Sequence, residues 1–184
     1  MIITIDDLTL LLPDDVSIGN PSRLGAKLKA LEEMVRGNTH NKFQDKRVRS
    51  HTTLEVISAD KTIKGADFLL LGFRPAQTIE ISDSLLNDGL YTVAEVTRTS
   101  LRVNESILDE KDFIMVTKVV YPLDVVDGVV KLIEYELRMT GKLGIKSETY
   151  SRVSTTYFDM DSNSEEGYPA SLLKFLDKHR KLRW

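Results

Sequence analysis

The sequence predicts an α+β protein: a small helical bundle with an inserted small β-barrel domain and an extended carboxy-terminal arm ending in a short helix. Three observations predict it. Apolar residues recur at helical spacing before residue 40 and again after Pro122, whereas between about Thr53 and Val120 they alternate as in strands. Residues 144–158 (GIKSETYSRVSTTYF) favour strand, yet they place Thr149, Ser151 and Thr155 on one face and Arg152, Ser154 and Thr156 on the other. A polar two-faced ribbon has no core of its own to cover.

The elements follow in order. Thr4 is placed to cap a first helix, with Asp6 and Asp7 in its positive first turn and Ile3 able to staple against Leu8, and Pro13 stops it. A second helix opens at Asn20-Pro21, a capping residue followed by a proline suited to the first helical position, and runs to about Arg36 before Gly37. Leu24, Leu28, Leu31 and Val35 form its buried stripe, and Lys27, Lys29, Glu32 and Glu33 its solvated face. The strand-like runs are Leu54-x-Val56, Phe68 to Leu71, Ile79-x-Ile81, Tyr91-x-Val93, Leu101-x-Val103 and Phe113-x-Met115. Asn87-Asp88-Gly89 carries a hairpin signal, since these residues tolerate positive φ. Phe73, Tyr91 and Asn87 read as barrel core and hairpin, or as one face of a binding module. After Pro122, a third helix carries Val125, Val126, Val129, Ile133 and Leu137 on one stripe, with Gly141 near its end. The expected domains are 1–50, the amino-terminal helical part; 51–120, the barrel; and 121–184, the third helix and arm. An insertion of this kind is tolerated when its two ends lie close together.

Composition narrows the function. The chain has 184 residues, is 41% hydrophobic and carries a net charge of -3, so it can build a core but lacks the basic character of a dedicated duplex-binding protein. No cysteine is present, which excludes disulfides and thiolate metal sites. The apolar amino terminus lacks a basic leader, carries acids and meets Pro13, so neither a signal peptide nor a membrane span is expected.

Catalytic patterns find no support. His40, His51 and His179 are dispersed and form no paired-ligand motif, and no Gly-x-Ser-x-Gly elbow exists. Asp159-x-Asp161-x-Asn163 opens like a calcium loop, but Ser164 stands at the required glycine and Ala170 at the closing glutamate. No catalytic, cofactor or metal residue is therefore assigned. Two basic clusters remain. Lys42, Lys46, Arg47 and Arg49 read as solvated charge; Lys174, Lys178, Arg180, Lys181 and Arg183 lie beside Phe175, Leu182 and Trp184, a cationic and aromatic mix suited to a protein interface.

One resemblance adds to this. Gly144-Ile-Lys-Ser-Glu148, Ser151-Arg152, Thr156-Tyr-Phe-Asp-Met160, Gly167-Tyr168-Pro169 and Leu172-Leu-x-Phe175-Leu176 resemble the carboxy-terminal signature of head-tail connector (adaptor) proteins from tailed phages of Gram-positive bacteria. Thr4-x-Asp6-Asp7-Leu8 and Arg36-Gly-Asn-Thr39-x-Asn41-x-Phe43 match the same family more loosely. The run Gly72-Phe73, Gln77 to Ser82 and Asn87 to Val93 also resembles small β-barrel modules of phage structural proteins.

The resemblance implies a bundle of the head-tail adaptor type and a structural virion protein. Such a protein forms a dodecameric ring under the portal vertex, extending a channel through which double-stranded DNA passes without sequence-specific contacts. It is made in the host cytoplasm and joins the head to the stopper or tail. The implied partners are the portal protein, neighbouring copies and the stopper or tail-completion protein, with no membrane, cofactor or reaction. Under it, Ser151, Arg152, Val153, Thr155, Tyr157 and Phe158 supply strand pairing with the portal or neighbouring subunits. Tyr168, Leu172, Phe175, Arg180, Arg183 and Trp184 anchor the subunit in the ring. The competing class is a small-ligand or carbohydrate-binding β-module on a helical scaffold.

Overall fold

The computed structural model describes residues 1–16, 19–139, 147–150, 153–156 and 164–182, with backbone only for 147–150, 153–156, 164 and 165. It corrects the expected fold class. The chain is a closed six-stranded antiparallel β-barrel accompanied, among the described residues, by four α-helices, and is not a small helical bundle carrying an inserted barrel. Two compact units result: Lys42–Tyr121 with Met1, and Ile2–Asn41 with Pro122–Trp184.

The barrel consists of β1 (Gln44–Ile57), β2 (Thr62–Lys64), β3 (Thr78–Ser82), β4 (Gly89–Val96), β5 (Ser100–Val103) and β6 (Glu110–Val119). They are ordered β1-β2-β5-β4-β3-β6, and β6 returns to β1. Closure pairs every strand on both sides and leaves no open edge. The β1–β6 ladder runs from Gln44↔Val119 to Val56↔Glu110, with its register shifting between Asp45 and Arg49. Such a bulge bends a strand, which a closed barrel requires.

The barrel begins before the first strand-like pattern in the sequence. β1 opens at Gln44, in a stretch whose Lys46, Arg47 and Arg49 suggested solvated charge, because half of its positions point to water and only Val48 signals the inner face. Inside lie Leu54, Val56, Ile63, Ile79, Ile81, Val93, Leu101, Ile114 and Val116. In β6 the inward residues are therefore Ile114 and Val116, and Phe113 is left 53% exposed. The run Phe68 to Leu71, expected to be a strand, is instead a succession of turns. Its Phe68 is fully buried against Phe73, with ring centroids 5.8 Å apart in an edge-on arrangement. A buried aromatic at a turn produces the same apolar signal as a strand, and here it plugs the barrel.

In the second unit, α1 (Ile5–Leu11) is capped by Thr4, whose hydroxyl accepts from the Asp7 amide at 3.1 Å. α2 (Pro21–Thr39) is capped by Asn20 and buries Leu24, Leu28, Leu31 and Val35, as their spacing predicts. It does not stop at Gly37. Buried Thr39 continues it, and His40 takes the left-handed cap at φ 49°. Glu32, expected to be solvated, is buried. α3 (Leu123–Met139) buries Val125, Val129 and Ile133 together with Gly128, Val130 and Leu132; Gly141 lies outside the described residues. Beyond it, β7 (Ser147–Tyr150) pairs antiparallel with β8 (Val153–Thr156), and β9 (Ser164–Glu165) pairs with β10 (Tyr168–Pro169). Among the described residues neither pair joins another strand. The expected terminal helix is split into α4 (Ala170–Leu173) and a 3-10 helix over Lys174–His179.

Gly65 has φ 117°, and a Cβ there would lie 2.7 Å from the Thr53 carbonyl oxygen and 3.3 Å from Leu54. The obstacle is backbone of β1, which closure holds in place. Gly65→Ala should therefore destabilise the barrel by about 3 kcal/mol, read as a lower urea midpoint; an unchanged midpoint would contradict this account.

Candidate interface

The segment after β9 is built onto the helices of its own unit. Leu173 and Leu176 are buried. The Tyr168 hydroxyl donates to the Glu136 carboxylate, which Lys27 Nζ also approaches at 2.7 Å. Burial first, and this bond second, push the Tyr168 hydroxyl far above its ordinary range. Phe175 lies against Gly128, where a Cβ would come within 2.5 Å of its ring. The glycine in α3 leaves the space that the ring occupies.

The end of the 3-10 helix is fastened by charge and backbone. Asp124 Oδ2 lies 2.7 Å from Lys178 Nζ and 2.7 Å from His179 Nε2. The hydrogen bond from Lys178, then that from His179, hold the Asp124 carboxyl down at about 2. Asn41 Nδ2 donates to the His179 carbonyl at 3.3 Å, and the Lys181 amide donates to the Thr39 carbonyl at 2.8 Å. The last contact satisfies a carbonyl in the final turn of α2, where no intrahelical donor exists.

The residues that the resemblance implies for docking are thus distributed unevenly. Tyr168 is buried and Phe175 half-buried on their own helices, Leu172 is half-buried, and Arg180 is exposed with its guanidinium 3.7 Å from Asp177. Val153 and Thr155 lie in β8, where only the backbone is described. Ser151, Arg152, Tyr157, Phe158, Arg183 and Trp184 lie outside the described residues, as does Asp159-x-Asp161-x-Asn163. The clamp residues Asp124 and Gly128 escaped sequence reasoning; an acid opening α3 looks like a helix-dipole partner, and a lone helical glycine carries no ligand signal.

The barrel unit holds a second constellation. The β3–β4 connection crosses to the approach to β6. Asn87 Nδ2 donates to the Leu108 carbonyl at 3.0 Å and to Glu110 Oε2 at 2.7 Å, while the Leu108 amide donates to Asn87 Oδ1 at 2.8 Å. Ser84 Oγ and the Leu85 amide also donate to Glu110. Burial pushes the Glu110 carboxyl up, but the hydrogen bonds from Ser84, Leu85 and Asn87 outweigh it and hold it below its usual range. Tyr91 donates its hydroxyl to the Asn87 carbonyl at 2.9 Å. Asn87 is therefore a buried bridge, and the left-handed residue of this connection is Asp83, at φ 63°. Phe73 and Tyr91 serve the core and this network. Among the described residues no group of three or more His, Cys, Asp or Glu is placed to hold a metal ion, and no helix is long and apolar enough to cross a membrane.

Two predictions follow from the clamp. Gly128→Ala trades a helix-propensity gain of about 1 kcal/mol against an overpacking cost of about 1–3 kcal/mol, so it should lower stability. In a Phe175→Ala background, where the obstacle is gone, the same change should become stabilising. Chemical denaturation of the four-member cycle measures both signs. Asp124→Asn should cost about 1 kcal/mol at neutral pH. Because folding depresses this carboxyl, its contribution is present above about pH 4, the unfolded value, and disappears as pH falls through about 2. The gap in melting temperature between wild type and Asp124→Asn should accordingly narrow from pH 4.5 to pH 2. Comparison of the sequence with family models and with curated proteins returns no match.

Proposed function

We propose that this chain is a structural virion protein, a head-tail connector that forms a dodecameric ring under the portal of a tailed phage, extends the DNA channel and receives the stopper or tail. The observation that carries the reading is the ordered carboxy-terminal signature from Gly144 to Leu176. The described strands within that signature support it. β7 and β8 form a two-stranded ribbon that, among the described residues, joins no other sheet. An isolated hairpin is marginal in water and gains most from strand pairing with another chain. A connector needs no catalytic group; its work is to present surfaces in fixed register around a ring.

The test is the mass and shape of the purified protein, alone and mixed with the portal protein of the same genome, by light scattering and negative-stain imaging. Rings, or a monomer that forms rings on the portal, are expected. A monomer indifferent to the portal would overturn the reading. The hairpin is best removed by replacing residues 147–156 with a Gly-Ser linker, since cutting the chain at Ser147 also deletes buried Tyr168, Leu173 and Leu176. The linker variant should keep the wild-type melting temperature and lose portal docking; retained docking would assign the portal contact to another surface.

A further inference from the structure

The barrel unit exposes apolar side chains where its loops are most firmly held. Leu85 is 82% exposed, Leu86 57%, Leu108 55% and Phe113 53%. Hydrogen bonds and side-chain contacts join them into one region: Asn87 bridges the loop of Leu85 and Leu86 to Leu108, Glu110 receives the Leu85 amide, and the His51 ring lies tilted against Phe113 at 4.5 Å and 3.8 Å from Asp83. Scattered surface leucines are ordinary, but a linked group of this kind marks an interaction site.

Two properties distinguish it from a mobile loop tip. The amides of Leu85, Leu86 and Leu108 each donate to a side-chain oxygen, of Glu110, Ser84 and Asn87 in turn, so the backbone that carries these leucines is held before anything binds. Preorganised apolar anchors lose little conformational entropy on association. The second property is charge. Asp83 lies 3.8 Å from His51, Asp88 accepts from the Ser84 amide and Asp112 adjoins Phe113, so carboxylates outnumber Lys111 in these loops and this strand end.

We propose that this acid-rimmed leucine surface docks a cationic, apolar polypeptide segment, one that carries aliphatic or aromatic anchors flanked by Lys or Arg. The apolar anchors supply affinity, and the carboxylates supply orientation and faster encounter. The same charge argues against the competing occupants. Two copies meeting through this surface would bring two acidic rims together, and an anionic lipid surface would be repelled. The proposal is independent of the connector reading, since it concerns the barrel unit alone.

The test uses the full chain and two synthetic amphipathic helical peptides, one of Leu and Lys and one of Leu and Glu, with binding followed by fluorescence anisotropy. The Leu/Lys peptide should bind and the Leu/Glu peptide should bind at least about tenfold more weakly, a difference of about 1.4 kcal/mol. Leu85→Ser with Leu86→Ser, at exposed positions, should melt with the wild type and weaken binding by at least about tenfold. Asp83→Asn with Asp112→Asn should weaken it and flatten its salt dependence. Equal binding of the two peptides, or unchanged affinity in the leucine variant, would overturn the proposal. So would self-association or binding to anionic vesicles that the leucine substitutions abolish, since either identifies a different occupant.

Discussion

The ladder between β1 and β6 is the interaction on which the rest of this chain depends. It joins the first barrel strand to the last across 54 to 75 residues of sequence, so no local preference can form it. Once formed, it brings the two ends of the barrel together. The Val120 amide donates to the Phe43 carbonyl at 2.9 Å, and the Phe43 and Tyr121 rings lie 5.0 Å apart. The chain thus leaves the barrel beside the point where it entered. A unit whose ends meet in this way can be folded without pulling on the segments that precede and follow it, and this explains how one sequence supports two compact units whose cores share no residue.

Legibility in the sequence follows from how local the cause is. Thr4 and Asn20 act within three residues, and both caps are where the residue types place them. The stripe from Leu24 to Val35 needs one helical period and one apolar face, and every member is buried. What failed depended on distant partners. Gly37 looked like a terminator, yet α2 continues because Thr39 is buried and its carbonyl receives Lys181 from the far end of the chain. Phe68 to Leu71 looked like a strand because burial alone creates an apolar run, and periodicity over four residues cannot distinguish a plug from a ladder. The start of β1 was hidden for the opposite reason: its charged outer positions outnumber its inner ones, and the strand is kept by its partner β6 more than by its own composition.

The candidate interface shows the same division. The resemblance gives Tyr168 and Phe175 as anchors in a ring of subunits; within the chain itself Tyr168 is buried and Phe175 half-buried. An amphipathic segment does not encode whether its cover is its own chain or a neighbour, because both offer the same transfer free energy per unit area. Gly128 decides the matter for Phe175, since a glycine on α3 provides a space fitted to an aromatic edge. The sign was present in the sequence as a glycine within a helical stripe, without anything to connect the two residues across more than forty positions. Leu85 and Leu86 carried the reverse problem. In sequence they fall between strand-like runs with nothing to mark them; in the structure Ser84, Asn87 and Glu110 receive the loop's amides and leave these side chains exposed.

That substitution of side-chain acceptors for backbone ones has an energetic consequence. A loop amide turned inward must be satisfied, at a cost of about 1–3 kcal/mol if it is not, and backbone carbonyls are the usual partners. Here Glu110 receives Ser84, Leu85 and Asn87 together, and Asn87 itself is nearly fully buried. Glu110 is only partly buried, so its bonds hold the loop without the full cost of desolvating a carboxylate. The arrangement holds the backbone amides of Leu85, Leu86 and Leu108, although none of the three contributes to the barrel core. Loop amides held by side chains, with exposed apolar side chains left over, are the physical basis of the docking surface proposed for the barrel.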